Sequence, residues 1–283
     1  MRNRVFILLL FSVLVLLSSC GEYNKLLKST DYELKKNKTK EYFEAGKYVK
    51  TTELLAQIIP RFRTTSESED LAWMNAQSFY QMKDYMSAGA YFKSYSDQYG
   101  YGKYVEEAHF LSAMCDYHMS PRAELDQAYT RSSIEGFNYY LSRYPSSPRA
   151  EECRILIKEL QDKLVEKSYL SARLYHDMTE YRSAVVALTN SLKEFSDSKY
   201  REEMMFLKLN SLFLYAENSL ASRQIERYQT TLDDYYSFME EFPNSRFNRD
   251  ARRIYQTTAR ALKLDPNKSQ AVSDDVEEEN NQK

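Results

Sequence analysis

Apolar residues along this chain recur every three or four positions and almost nowhere every two. Tyr85, Ala88, Phe92, Tyr95 and Tyr99 form one such row, and Ile134, Phe137, Leu141 and Tyr144 form another. Tyr181, Val185, Leu188, Leu192 and Phe195 repeat the pattern, as do Tyr228, Leu232, Tyr235, Met239 and Phe242. A weaker copy, Thr52, Leu55, Ile59 and Phe62, follows Tyr48. Each row is the apolar stripe of an amphipathic helix. The same periodicity predicts preceding helices over approximately Tyr32–Glu44, Glu67–Gln81, Val105–His118, Arg149–Tyr175 and Arg201–Ser219, with a last helix over Phe247–Leu262. Short links such as Ala45-Gly46-Lys47, Met82-Lys83-Asp84 and Met178-Thr179-Glu180 join helices into pairs.

The junctions between pairs repeat as well. Tyr99-Gly-Tyr-Gly-Lys-Tyr-Val-Glu-Glu-Ala108, Tyr144-Pro-Ser-Ser-Pro-Arg-Ala-Glu-Glu-Cys153, Phe195-Ser-Asp-Ser-Lys-Tyr-Arg-Glu-Glu-Met204 and Phe242-Pro-Asn-Ser-Arg-Phe-Asn-Arg-Asp-Ala251 align, with leading aromatics 45, 51 and 47 residues apart. Pro and Gly stop one helix, Ser or Asn supplies a turn or cap oxygen, and carboxylates sit at the positive end of the next helix. One helical pair cannot bury its own apolar face, so pairs in series stack. The predicted fold is therefore all-α: an α-solenoid of about five helix pairs over residues 32–262 plus a C-terminal helix. The pairs resemble tetratricopeptide repeats, with an aromatic near the start of each second helix and Ala88 or Ala184 nearby for close helix approach. The usual period of 34 residues is approached only by the first pairs, Tyr48 to Tyr85 being 37 apart. The later units imply longer helices or loops such as Met119–Asp126.

The first 19 residues are of another kind. Arg2 and Arg4 precede an apolar run of 13 residues, Val5 to Leu17, broken only by Ser12, and Leu17-Ser18-Ser19-Cys20 follows. A charged start, an apolar middle and small residues at the end make a secretory signal peptide, too short for a membrane span. The tetrad resembles a bacterial lipobox. It implies cleavage between Ser19 and Cys20, with lipid on the Cys20 sulfur and amino group. Several acyl chains give stable anchoring, at about 0.8 kcal/mol per buried CH₂. Gly21–Thr30 is predicted as a short link (residues 20–31 with the anchor) that could span at most about 30–35 Å, and 263–283, rich in Asp, Glu, Asn and Gln, as an acidic disordered tail.

With 39 basic and 41 acidic residues the chain has no field that attracts nucleic acid. Its six glycines and six prolines are too few for many hairpins or phosphate loops. No catalytic constellation is present. His109, His118 and His176 lack metal-ligand spacing and are predicted as partly exposed spacers on helix faces. The pairs Glu106-Glu107, Glu151-Glu152 and Glu202-Glu203 lie side by side on helices, where neighbours do not converge on a substrate. Neither an enzyme activity nor a cofactor is expected. Cys115 and Cys153 fall on apolar faces, as small hydrophobes or as a disulfide in an oxidising compartment. What remains is surface. A solenoid groove suits an extended peptide, and first-helix residues Tyr42, Phe43, Trp73, Asn75, Gln77 and Tyr80 are candidates to line it. The same aromatics also suit packing between repeats.

Read together, these segments resemble the BamD family, tetratricopeptide lipoproteins of the outer-membrane β-barrel assembly machinery. Tyr32 to Gly46-Lys47-Tyr48 resembles its first repeat, and Asp126-Gln127 through Tyr144-Pro145-x-Ser147 its third. Ala172-Arg-Leu-Tyr175 through Tyr181-Arg-Ser-Ala184 resembles its fourth, and Tyr200-Arg-Glu-Glu203 with Leu212–Ala216 its fifth. Tyr99-Gly-Tyr-Gly102 departs from the aromatic-proline turn. The resemblance implies an outer-membrane lipoprotein facing the periplasm. Its partners would be BamA, other assembly subunits and unfolded outer-membrane β-barrel proteins. It further implies that the N-terminal repeats receive clients and the C-terminal repeats hold BamA, for which Arg201, Glu202, Arg223 and Arg227 are candidate contacts. These charges equally suit a solvated face. Other tetratricopeptide envelope lipoproteins, such as secretin pilotins, and SusD-like glycan-binding lipoproteins are the alternative readings.

Overall fold

A computed structural model describes residues 21–266; the predicted signal peptide, Cys20 and most of the predicted acidic tail lie outside them. Helix α1 covers residues 21–28. It is followed by α2 (Tyr32–Glu44), α3 (Tyr48–Phe62), α4 (Ser68–Gln81), α5 (Tyr85–Gln98), α6 (Val105–Met119) and α7 (Ala128–Arg143). Then come α8 (Ala150–Asp177), α9 (Tyr181–Glu194), α10 (Arg201–Glu217), α11 (Ala221–Glu241) and α12 (Asn248–Ala261). No strand occurs among the described residues. The helices form two compact units. One runs to Pro121 and takes in Gln127–Leu160; the other takes in Arg122–Asp126 and the chain from Gln161 onward.

The fold is the expected α-solenoid of tetratricopeptide-like helix pairs with a last helix. In the first unit the pairs are α2 with α3, α4 with α5 and α6 with α7; in the second they are the end of α8 with α9, and α10 with α11, with α12 packed on α10 and α11. The predicted stripes are the buried faces. Ala88, Phe92 and Tyr95 sit with Phe137, Tyr140, Cys115 and Leu160 in one core. Leu232, Tyr235 and Phe238 meet Ile254 and Tyr255 in another. The 51-residue spacing is absorbed by α8, which runs for 28 residues.

In the first, second and fourth pairs the turn is built alike. Gly46, Lys83 and Thr179, each the middle residue of its link, take left-handed φ angles of 69°, 61° and 63°. The next N–H then closes onto the carbonyl five residues back, as Lys47 on Tyr42, Asp84 on Phe79 and Glu180 on Tyr175. This Schellman closure satisfies carbonyls that a helix end otherwise leaves open. Close approach elsewhere needs glycine: a Cβ on Gly136 of α7 would come within 2.8 Å of the Ala113 Cβ on α6.

The short link over Gly21–Thr30 has structure of its own: residues 21–28 are helical and docked. Tyr23 and Leu26 are buried with Leu54. The Tyr23 hydroxyl bonds the Lys50 carbonyl at 3.2 Å and the Glu53 carboxylate, and its ring meets Tyr42 edge-on at 5.7 Å. Lys35 Nζ donates to the Leu27 carbonyl at 3.0 Å, closing the end of α1. Of the two readings offered for Cys115 and Cys153, the structure has the small hydrophobe: they are separate buried thiols. Burial raises them to about 12 and about 11, so neither is a reactive thiolate at neutral pH.

Candidate interaction surfaces

The repeated junctions are the most organised polar features of both units. Glutamates opening a first helix accept bonds from the far end of the same pair. In the second pair, Glu69 Oε1 accepts the Tyr95 hydroxyl at 2.6 Å and the Lys103 backbone N–H at 2.7 Å. In the third, Glu106 accepts Tyr140 at 2.8 Å, and Tyr140 also meets the Ser147 hydroxyl at 2.7 Å. In the fifth, Glu202 accepts Ser245 at 2.6 Å and the Arg246 N–H at 3.3 Å, with Phe238 in the tyrosine's place. The adjoining carboxylate pairs with a cation in the turn: Asp70 with Lys103 at 2.6 Å, Glu107 with Arg149 at 3.3 Å, Glu203 with Arg246 at 3.0 Å. This explains why the acidic residues come in twos. Helix-end electrostatics is one role; tying the junction together is a second. Burial and the neighbouring carboxylate raise Tyr95 and Tyr140, the latter to about 12, so both phenols remain donors.

A stack completes each junction. The residue before a first helix lies back on a residue of the preceding first helix. Tyr104 stacks on Trp73 at 4.6 Å, Tyr200 on Tyr169 at 4.4 Å and Phe247 on Phe206 at 4.4 Å. At the third junction the Arg149 guanidinium lies 4.4 Å over Phe110. The glycine turn at Tyr99–Gly102 therefore has the same shape as the others. Its Gly102 N–H bonds the Tyr99 carbonyl at 2.8 Å, as Ser147 does Tyr144 at 3.1 Å and Ser245 does Phe242 at 3.1 Å. A Cβ at Gly102 would lie 2.6 Å from Glu69 Oε1 and 2.8 Å from the Tyr95 hydroxyl, so a side chain there would push those two ends aside.

This geometry places the candidate peptide-groove residues. Trp73 is half-buried and committed to Tyr104, Phe92 and Tyr95. Asn75 is buried. Tyr80 packs on Tyr85, Phe92 and His118, whereas Tyr42 belongs to the separate Tyr23–Leu54 cluster and Phe43 meets Tyr48. Gln77 is half-buried. Trp73 and Tyr80 flank one core, and Tyr42 lies with another.

Of the charged candidates, Arg201 is bound to both Glu241 oxygens, at 2.9 Å from Nη2 to Oε2, and to the Leu192 carbonyl at 3.3 Å. Glu202 is in its junction. Arg227 lies 3.9 Å over the Tyr215 ring and bonds Ser219. Arg223 alone of the four is exposed, with only an i,i+3 contact to Glu226 at 3.3 Å. Sequence reasoning missed a groove of about 460 Å³ in the fourth pair, lined by Tyr175, Arg182, Ser183, Val186, Ala187 and Asn190. Its signal was Val186, an apolar residue off the buried stripe and 56% exposed.

The histidines are at least partly exposed on their helix faces, as expected, but each also has a partner. His109 bonds the Tyr144 hydroxyl at 3.1 Å, His176 the Ser211 hydroxyl at 2.9 Å, and His118 stacks on Tyr85 at 4.4 Å. Burial lowers all three, helped by Arg143, Lys83 and Arg173 beside His109, His118 and His176. An unfolded chain therefore takes up protons first as pH falls below about 6.5. The histidine contribution is intact above that value and is lost as pH falls toward the lowered folded-state values. Asp116 and Asp234, raised by burial, act in the opposite sense at lower pH. The melting temperature should drop between pH 7.5 and 5.5, and less so in a His118→Phe variant. An identical drop in both proteins removes His118 from the account.

Among the described residues, no three His, Cys, Asp or Glu side chains could hold a metal, and no helix is long and apolar enough to cross a membrane. Stacked helix pairs with half-exposed aromatic and charged faces define a protein-interaction scaffold. Residues 31–212 match the family described as YfiO, outer membrane lipoprotein, and the chain belongs to that family. No curated protein matches it in sequence. Among solved structures it is similar to the TPR domain of P58(IPK), at 14% identity and TM-score 0.40, covering 85% of this chain and 68% of that one.

Proposed function

We propose that this chain is a BamD-type assembly factor: a periplasm-facing scaffold, anchored in the outer membrane through lipid on Cys20, that binds BamA and segments of unfolded outer-membrane β-barrel proteins. Membership of the YfiO outer membrane lipoprotein family carries the reading. Cys20 after a charged and apolar leader supports the anchor. The docking of residues 21–28 holds the first pair within a few residues of that cysteine. Helical repeats offer client segments an extended surface. We place the BamA contact on the second unit, where the exposed Arg223 and the groove beside Tyr175, Arg182 and Val186 combine charge with apolar area. We place the clients on the first two pairs, where Tyr42, Phe43, Gln77 and Tyr80 keep part of their surface exposed.

The test is affinity purification of the full chain from membranes, beside a Cys20→Ala variant. Expected are co-purification of BamA, lipid labelling of the unaltered chain, and release or incomplete processing of the variant. Recovery of a secretin or of a TonB-dependent transporter in place of BamA would move the chain to a pilotin or SusD-like role.

A further inference from the structure

The last helix has two unlike faces. Ala251, Ile254, Tyr255, Thr258 and Ala259 are buried. Opposite them Arg249, Arg252, Arg253 and Arg260 are exposed, with Lys263 just past the helix end. Positions 249, 252, 253, 256 and 260 fall within about 100° of one another around a helix of 3.6 residues per turn, so the cations form one row. Arg253 has a loose contact with Asp250, at 3.5 Å and with its side chain 77% exposed. The side chains of Arg249, Arg252, Arg260 and Lys263 have no hydrogen bond or ion pair among the described residues. Like charges three and four residues apart repel one another. Arg249 adds to this by standing in the first turn, at the positive end of the helix. Elsewhere in this protein the junction cations are matched: Lys103, Arg149 and Arg246 each have a carboxylate. The row on α12 brings several cations together with no such match among the described residues.

The matching charge is in the same chain. Asp274, Asp275, Glu277, Glu278 and Glu279 put five carboxylates into six residues. Seven residues lie between Pro266 and Asp274, so the eight steps reach up to about 28 Å. The cationic row from Arg249 to Lys263 is about 21 Å long at 1.5 Å per residue. The acidic segment can therefore fold back along the row without displacing α12 from its buried contacts. We propose that residues 274–279 dock on the Arg249–Lys263 face of α12. The contact covers a surface that an acidic partner reaches only by displacing the segment. It stands independently of the proposed function, since both sides of it are in this chain.

The test is disulfide trapping in the full chain reconstituted in phosphatidylcholine liposomes. Gln256→Cys, on the row, is combined with Asn280→Cys, beside the acidic run, and oxidised with copper–phenanthroline. The buried Cys115 and Cys153 are poor competitors. Screening shrinks from about 14 Å to about 3 Å between 0.05 M and 1 M salt. An intramolecular bond should form at low salt and fall about fivefold or more at high salt, as that screening removes the attraction. Arg252→Gln/Arg253→Gln/Arg260→Gln should give the same loss. So should Glu277→Gln/Glu278→Gln/Glu279→Gln, which leaves the helices untouched and so guards against misfolding of the arginine variant. No product at low salt, or a yield indifferent to salt and to both sets of substitutions, overturns the proposal. A bond between two chains assigns the row to a second copy. Loss of the bond in phosphatidylglycerol liposomes assigns it to lipid headgroups. Either of these also overturns it.

Discussion

Trp73→Ala should lower the stability of the N-terminal unit by about 3 kcal/mol, toward the lower end of large-to-small aromatic substitutions because the ring is half-buried. The ring stacks on Tyr104 at 4.6 Å and 12°, and meets Phe92 and Tyr95 at 5.5 and 5.7 Å. It thus carries the contact between α4, α5 and the residue that opens α6. Removing it leaves a void beside Tyr95, whose hydroxyl sits in the Glu69 junction. Trp73→Phe should keep the stack and lose about 1 kcal/mol. Thermal or denaturant unfolding followed by circular dichroism reads the difference. A Trp73→Ala protein that melts with the parent, yet no longer cross-links to a client peptide, would make Trp73 a recognition residue after all.

The equivalence of Trp73 with Phe110, Tyr169 and Phe206 marks where sequence reading ran out. Helix pairs, their links and the aligned junctions were legible, because each rests on residues within one or two turns: a stripe, a stop, a carboxylate near a helix start. The stacking partners were not. They differ in chemistry and meet residues more than thirty positions away, so no local period marks them. Helix α1 was missed for a related reason: eight residues with Tyr23 and Leu26 as anchors make no stripe, and their counterparts Leu54 and Lys35 lie in other helices. Helix α2 inverts the usual pattern. Its buried face is Lys35, Lys36 and Thr39. Lys36 is held by Glu33 at 2.6 Å and Glu67 at 2.7 Å, with its ammonium 4.8 Å over the Phe62 ring. Surface roles suffered most. A charged side chain looks alike in sequence whether it waits for a partner or is already bound within the fold, as Arg223 and Arg201 illustrate.

Arg201→Glu should therefore destabilise the C-terminal unit by about 2–3 kcal/mol, beyond the range of exposed ion pairs. Arg201 opens α10, holds Glu241 at the end of α11 with two bonds, and donates to the Leu192 carbonyl in the last turn of α9. One guanidinium thus joins three helices. It also fills a carbonyl site that a helix C-terminus leaves open. Reversal places two carboxylates together and empties that site. The double exchange Arg201→Glu/Glu241→Arg should recover the ion pair but not the bond to Leu192, returning about half of the lost stability. Full recovery would show that the carbonyl contact contributes nothing. Reversing Arg201 with Arg227 is consequently a poor probe of partner binding, because Arg227 also serves the fold through Tyr215 and Ser219. Arg223→Glu is the clean probe. Its exposed head group should leave the melting temperature within about 0.5 kcal/mol equivalent of the parent. Any loss of BamA co-purification in that variant then reports the contact itself, whereas a loss seen only in Arg201→Glu reports unfolding of the unit that presents it.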